Sequence, residues 1–195
     1  MRNARRSRWI SPQEYLESEL LSEVRHEYFA GEVFAMAGAS LAHNRIAGNI
    51  FAALHGHLRG KKCEPFMNDM KAHLERNKDE WFYYPDVMVN CDPAGQHKYF
   101  CDTPAIIFEV LSESTVGMDR REKRLAYQSI PSLHTYVLVD QEMCDVTVYR
   151  RTPARWSREV IAAPDTTQLT SDDVVELPEI EFTLPLATIY DRVPV

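Results

Sequence analysis

Two stretches decide how this chain reads: Trp81-Phe82-Tyr83-Tyr84-Pro85-Asp86-Val87-Met88-Val89 and Ala105-Ile106-Ile107-Phe108-Glu109-Val110-Leu111. Both are apolar runs of strand length, and each carries one carboxylate. Asp86 heads the run 87–89; alternation puts Met88 on its face and Val87 and Val89 on the other. Glu109 has apolar neighbours on both sides, which predicts a central strand covered on both faces. A carboxylate buried there must find a cation, a metal or a donor, or take up a proton. If the two strands are neighbours, Asp86 and Glu109 can share one hard cation. Mg²⁺ suits the pair because it accepts one or two carboxylates and keeps waters, one of which can become a nucleophile.

Downstream, 112–117 reads as a loop, and Asp119 with Glu122 marks the start of a helix that ends before Pro131. Asp119, Lys123 and Tyr127 are spaced i, i+4, i+8 and share one face of it. Strands are predicted over 134–140 and 145–150. Upstream, 65–74 is predicted as a strand paired antiparallel with 81–89 across the polar turn 77–80, with Asp69 and Lys71 on one face. Ser40 caps a helix over 41–58, whose buried stripe is Ile46, Ile50, Phe51, Leu54 and Leu58. His43 lies in its first turn, where free amides can address an anion. Residues 27–30 and 33–36 form a hairpin about Gly31-Glu32 that places Glu27 on a strand. Ser11, Pro12 and Glu14 make a capping box that opens a helix running to about Leu21.

After Thr152, prolines at 153, 164, 178, 185 and 194 interrupt short strand-like pieces at 156–161 and 174–177. They read as edge strands completing the same core. The organisation expected is a basic tail over 1–10 and one domain over 11–195, with a core at about 25–150 and a β-rich extension over 151–195.

Apolar residues at 45% and charged residues at 26% are those of a chain able to bury a core. No apolar run approaches the ~20 residues that cross a bilayer, so no membrane partner is expected. Four arginines in the first eight residues precede Ser11-Pro12 and no apolar h-region, so the expected location is cytoplasmic. The net charge of −7 argues against coating nucleic acid by charge alone, yet acidic metal ligands contribute to it. Cys63, Cys91, Cys101 and Cys144 lack any CxxC spacing and read as reduced thiols.

An ordered series of motifs resembles the Uma family of restriction-endonuclease-like proteins, in the PD-(D/E)XK nuclease superfamily. The series comprises Arg25-His26-Glu27-Tyr28, residues 31–38, Ala42-His43-Asn44, Asn68-Asp69-Met70-Lys71, Tyr84-Pro85-Asp86-Val87, residues 109–115, 119–127 and 136–140. The likeness runs from about 15 to 190. It implies an α/β (α+β) fold, a mixed sheet flanked by helices. It implies a metal-dependent endonuclease that hydrolyses phosphodiester bonds in DNA as a homodimer. Asp86, Glu109 and Val110 are then the positions that hold Mg (or Mn), with Glu27 and Lys123 beside them in catalysis.

One departure matters: the superfamily lysine belongs two residues after the glutamate, where this chain has Leu111. Lys123 is the expected replacement, supplied from the helix, and Lys71 is its rival. His43, Asp69, Asp119 and Tyr127 are secondary candidates. The alternative is a catalytically inactive nucleic-acid-binding or assembly protein on the same fold.

Overall fold

The computed structural model describes residues 9–36, 38–76, 78–111 and 118–195, with side chains in the last segment from Arg121 onward. The 1–8 tail and the 112–117 loop of the sequence reading lie outside the described residues.

The capping box forms: Ser11 and Glu14 exchange hydrogen bonds at the start of helix α1 (Pro12–Glu19), which ends two residues earlier than expected. Strands β1 (His26–Phe29) and β2 (Glu32–Ala35) make the hairpin. Its turn is Ala30-Gly31, both at positive φ, one residue before the predicted position. Helix α2 (Leu41–Leu58) starts at the Ser40 cap and buries Ile46, Ala47, Ile50, Leu54 and Leu58.

The region 65–89 differs from its sequence reading. The predicted strand 65–74 breaks at Asn68, which sits at φ 57, into β3 (Glu64–Met67) and β4 (Lys71–Arg76). The strand 81–89 breaks at Tyr84-Pro85-Asp86 into β5 (Asp79–Tyr83) and β6 (Val87–Asn90). The expected single pairing is two pairings in two sheets: β4 with β5, and β3 with β6. Apolar residues resume directly beyond each break, at Met70 and at Val87, and periodicity alone does not register a change of sheet. The Asn68 amide donates to the Asp86 carbonyl at 3.3 Å, so the two crossings lie side by side.

After a two-residue strand β7 (Phe100–Cys101) come β8 (Pro104–Leu111), α3 (Met118–Ser129), β9 (Thr135–Asp140), β10 (Asp145–Arg151) and β11 (Trp156–Ala162). A hairpin of β12 (Val174–Leu177) and β13 (Phe182–Pro185) and a short α4 (Leu186–Ile189) complete the chain. One sheet has the order β2-β1-β5-β4-β7; the other is β11-β10-β9-β8-β6-β3, with β8 and β9 parallel and the remaining pairs antiparallel. The fold is therefore mixed α+β, with mixed sheets flanked by helices.

β8 is central, as its unbroken apolar run requires. Its even residues Ile106, Phe108 and Val110 pack with α2 and the β12–β13 hairpin in one core. Its odd face, with Ile107 and Leu111, packs with Met88, Tyr83, Tyr127 and Tyr136 in a second core between the sheets and α3. Glu109 belongs to this odd face. The C-terminal hairpin closes the first core, where Val175, Leu177, Leu184 and Leu186 are buried, and is not an appendage.

The thiol expectation is corrected at one pair. The register Glu64↔Asn90 sets Cys63 opposite Cys91, and these two form a disulfide; Cys101 and Cys144 are free and buried.

Candidate active site

Four elements converge at the corner where the chain passes between sheets. β5 ends at Tyr83, since the Tyr84 N–H turns to Glu27 and Pro85 has none for the ladder, and Asp86 stands at the turn into β6. Its Oδ2 accepts the Val110 N–H at 2.7 Å and lies 3.3 Å from His43 Nε2. The first turn of α2 thus meets the acid directly. Burial would lower the pKa of His43, but the hydrogen bond and charge of Asp86 and the Val110 carbonyl outweigh it and raise it.

Glu109 lies inward with its side chain 12% exposed. Its Oε1 accepts the Tyr127 hydroxyl at 2.8 Å, and Lys123 Nζ is 3.7 Å away. Burial pushes the Glu109 carboxyl up to about 8; Lys123 opposes the shift, whereas Asp86 and Glu27 add to it. Burial, reinforced by Glu109, also raises Tyr127 well above the phenol range, so its hydroxyl remains a donor.

Glu27, on β1 and 7% exposed, accepts the Tyr84 N–H at 3.2 Å and holds Lys123 Nζ at 2.7 Å. Lys123 also lies over the Tyr83 ring, 5.6 Å from its centroid. Tyr83 is a wall residue that the sequence reading did not single out; only its place three residues before Asp86 hinted at it.

Asp86, Glu109, Val110, Lys123, Glu27, His43 and Tyr127 therefore meet in one place. Asp69 and Lys71 are corrections. Asp69 is 75% exposed and pairs with Arg25 at the surface. Lys71 is 4% exposed, its ammonium 4.9 Å from the Tyr84 ring centroid, and it pairs with neither Asp86 nor Glu109. Burial lowers its pKa against the pull of Glu19 and Asp69. The break at Asn68 removes the strand face that Asp69 and Lys71 were expected to share. Asp119 is in the first turn of α3, and its side chain lies outside the described residues.

The donor set suits a hard cation. The contacts above occupy Asp86 Oδ2 and Glu109 Oε1; among the described residues no donor reaches Asp86 Oδ1 or Glu109 Oε2. No three His, Cys, Asp or Glu side chains among the described residues are grouped to bind a metal unaided. Two carboxylates plus a main-chain oxygen match an ion that keeps several waters. The raised Glu109 pKa is that of a buried acid whose negative charge is under-compensated.

No helix among the described residues is long and apolar enough to cross a membrane. A family described as "Putative restriction endonuclease", Uma2, matches residues 12–186. Two proteins of Synechocystis sp. are similar. The uncharacterized protein slr1290 is 34% identical over 143 residues, which is 73% of this chain and 74% of that one. The uncharacterized protein sll1609 is 32% identical over 145 residues, 73% of this chain and 81% of that one. The fold also matches the crystal structure of a "putative nuclease belonging to DUF820" from Anabaena variabilis, with TM-score 0.65 and 17% identity over 88% of this chain and 93% of the other. With residues 12–186 matched and two relatives above 30% identity, this chain belongs to the Uma2 family of restriction-endonuclease-like proteins.

Proposed function

We propose that the protein is a divalent-metal-dependent endonuclease that hydrolyses phosphodiester bonds in DNA, acting as a homodimer so that both strands of a duplex meet an active site. The observation that carries this reading is Lys123: its ammonium sits between Glu27 and Glu109, in the site where Leu111 leaves the superfamily lysine missing.

Asp86 Oδ1, Glu109 Oε2 and the Val110 carbonyl would hold the ion, Mg²⁺ or Mn²⁺. When bound, the ion supplies charge neutralisation at phosphorus and a water of lowered pKa. The rest falls to the chain. The Val110 N–H and His43 fix the Asp86 carboxylate, and Tyr127 fixes that of Glu109. Glu27 aims Lys123, whose charge orients the attacking water or stabilises the negative charge gathering on the phosphoryl oxygens. Pre-set positions lower the barrier because no reorganisation is needed as charge develops.

Supercoiled plasmid incubated with purified protein and Mg²⁺ or Mn²⁺ tests the reading: wild type nicks or linearises it, and Asp86→Asn and added EDTA abolish cleavage. Absence of cutting with either ion would favour the inactive nucleic-acid-binding alternative.

A further inference from the structure

A cavity of about 550 Å³ opens at the other end of the six-stranded sheet, where the starts of β8 and β9, the end of β10 and the turn Pro178–Ile180 meet. Ala105 on its wall is four residues, roughly 13 Å of strand, from Glu109. Its size is that of a small-molecule site.

Glu179 stands in the wall. Its Oε1 accepts the Thr135 hydroxyl at 2.6 Å, while Oε2 is buried and has no hydrogen-bond partner among the described residues. Thr135 pairs with Arg150 across β9 and β10, so the carboxylate lies next to the arginine's strand position. Arg150 is nevertheless engaged elsewhere, by Glu159 and by the Glu176 carbonyl at 3.0 Å. Arg151, the next residue of β10, also lines the cavity, but its guanidinium is turned to the opposite face of the sheet, onto the carbonyls of Leu133, Gln128 and Ile130. A guanidinium has five N–H donors, so Arg150 keeps donors to spare. Its anchors hold it in place before any ligand arrives, which lowers the ordering cost of binding.

The cavity thus has a buried carboxylate oxygen lacking a donor and a fixed cation with unspent donors. We propose that the cavity binds a small molecule with a nitrogen donor at one end and an anionic group at the other, a free amino acid or a mononucleotide. The nitrogen donates to Glu179 Oε2, and the anionic group meets Arg150. This site is separate from the catalytic corner and does not depend on the nuclease reading.

The test is calorimetry on the full chain in EDTA, which prevents a metal at Asp86 and Glu109 from recruiting phosphate. Free amino acids form one panel and mononucleotides the other; ammonium chloride and inorganic phosphate are one-ended controls. A member of one panel is expected to bind one-to-one and far more tightly than either control, and the panel it comes from identifies the source. Glu179→Gln, which puts a donor where the ligand needs an acceptor, and Arg150→Met should each weaken that binding roughly tenfold or more. Asp86→Asn should leave it unchanged. No binding by either panel, or equal binding by wild type and both cavity variants, would overturn the proposal. Arg150→Met decides the matter if Glu179→Gln does not fold, because the Arg150 contacts with Glu159 and Glu176 are at the surface.

Discussion

Metal binding should release a proton from Glu109 near neutral pH. Burial holds this carboxyl at about 8, so at pH 7 the metal-free protein carries it about nine-tenths protonated. An ion needs the charged form, so binding must expel the proton. The ionised fraction rises from about 1% at pH 6 to about one-half at pH 8. The apparent Mg²⁺ affinity should therefore rise by more than tenfold over that interval and level off once Glu109 is ionised. His43 also faces Asp86 and loses its proton in the same direction, so His43→Gln is the control that isolates the Glu109 limb. Calorimetry in buffers of different ionisation enthalpy counts the protons; close to one per ion is expected at pH 7. Lys123→Met should move the break to higher pH, because Lys123, ahead of the Tyr127 hydrogen bond, holds the Glu109 pKa down. A Kd flat from pH 6 to 8.5 with no proton release would mean that Glu109 is not a ligand that must lose a proton to bind the ion.

The same shift predicts how the metal-free fold responds to pH. An acid raised from 4.5 to about 8 gives stability that is fully present below pH 4.5 and lost as pH rises through 8. Urea midpoints should accordingly fall over that range in wild type and much less in Glu109→Gln. Lys123→Ala should reduce plasmid cleavage by roughly 10²–10³ while leaving Mg²⁺ binding nearly intact, since lysine is no ligand for a hard cation, and Lys71→Ala should do far less. Cys63→Ser opens a 28-residue loop and should cost about 3–4 kcal/mol in urea unfolding, an effect absent when wild type and variant are compared under reductant. Leu54→Ala, at a fully buried position of α2, should cost about 2–5 kcal/mol by the same assay.

The parts of this fold that sequence showed are those with local causes. Ser40 and the i, i+4 stripe mark α2 to the residue, and the uninterrupted apolar run of β8 marks a central strand with Glu109 inside it. The spacing of Lys123 and Tyr127 puts both on the helix face that meets Glu109. What was hidden depends on neighbours distant in sequence. The crossings at Asn68 and at Tyr84-Pro85-Asp86 are short and flanked by strand-forming residues on both sides, so each pair of strands read as one. Cys63 and Cys91 become opposite only once β3 and β6 are paired. Glu27 looks like any strand acid until β1 brings it to Lys123 on α3. The cavity beside Glu179 draws Thr103, Ser132, Arg150 and Glu179 from four separate places in the chain.

The claim on which the rest depends is that Asp86 and Glu109 share one divalent ion. Crystals soaked in Mn²⁺ and measured for anomalous scattering test it most directly. One peak is expected about 2.1–2.3 Å from a carboxylate oxygen of each residue and from the Val110 carbonyl, and it should be lost in Glu109→Gln. A saturating soak that leaves this corner without a peak, or places the only peak on other residues, would contradict it.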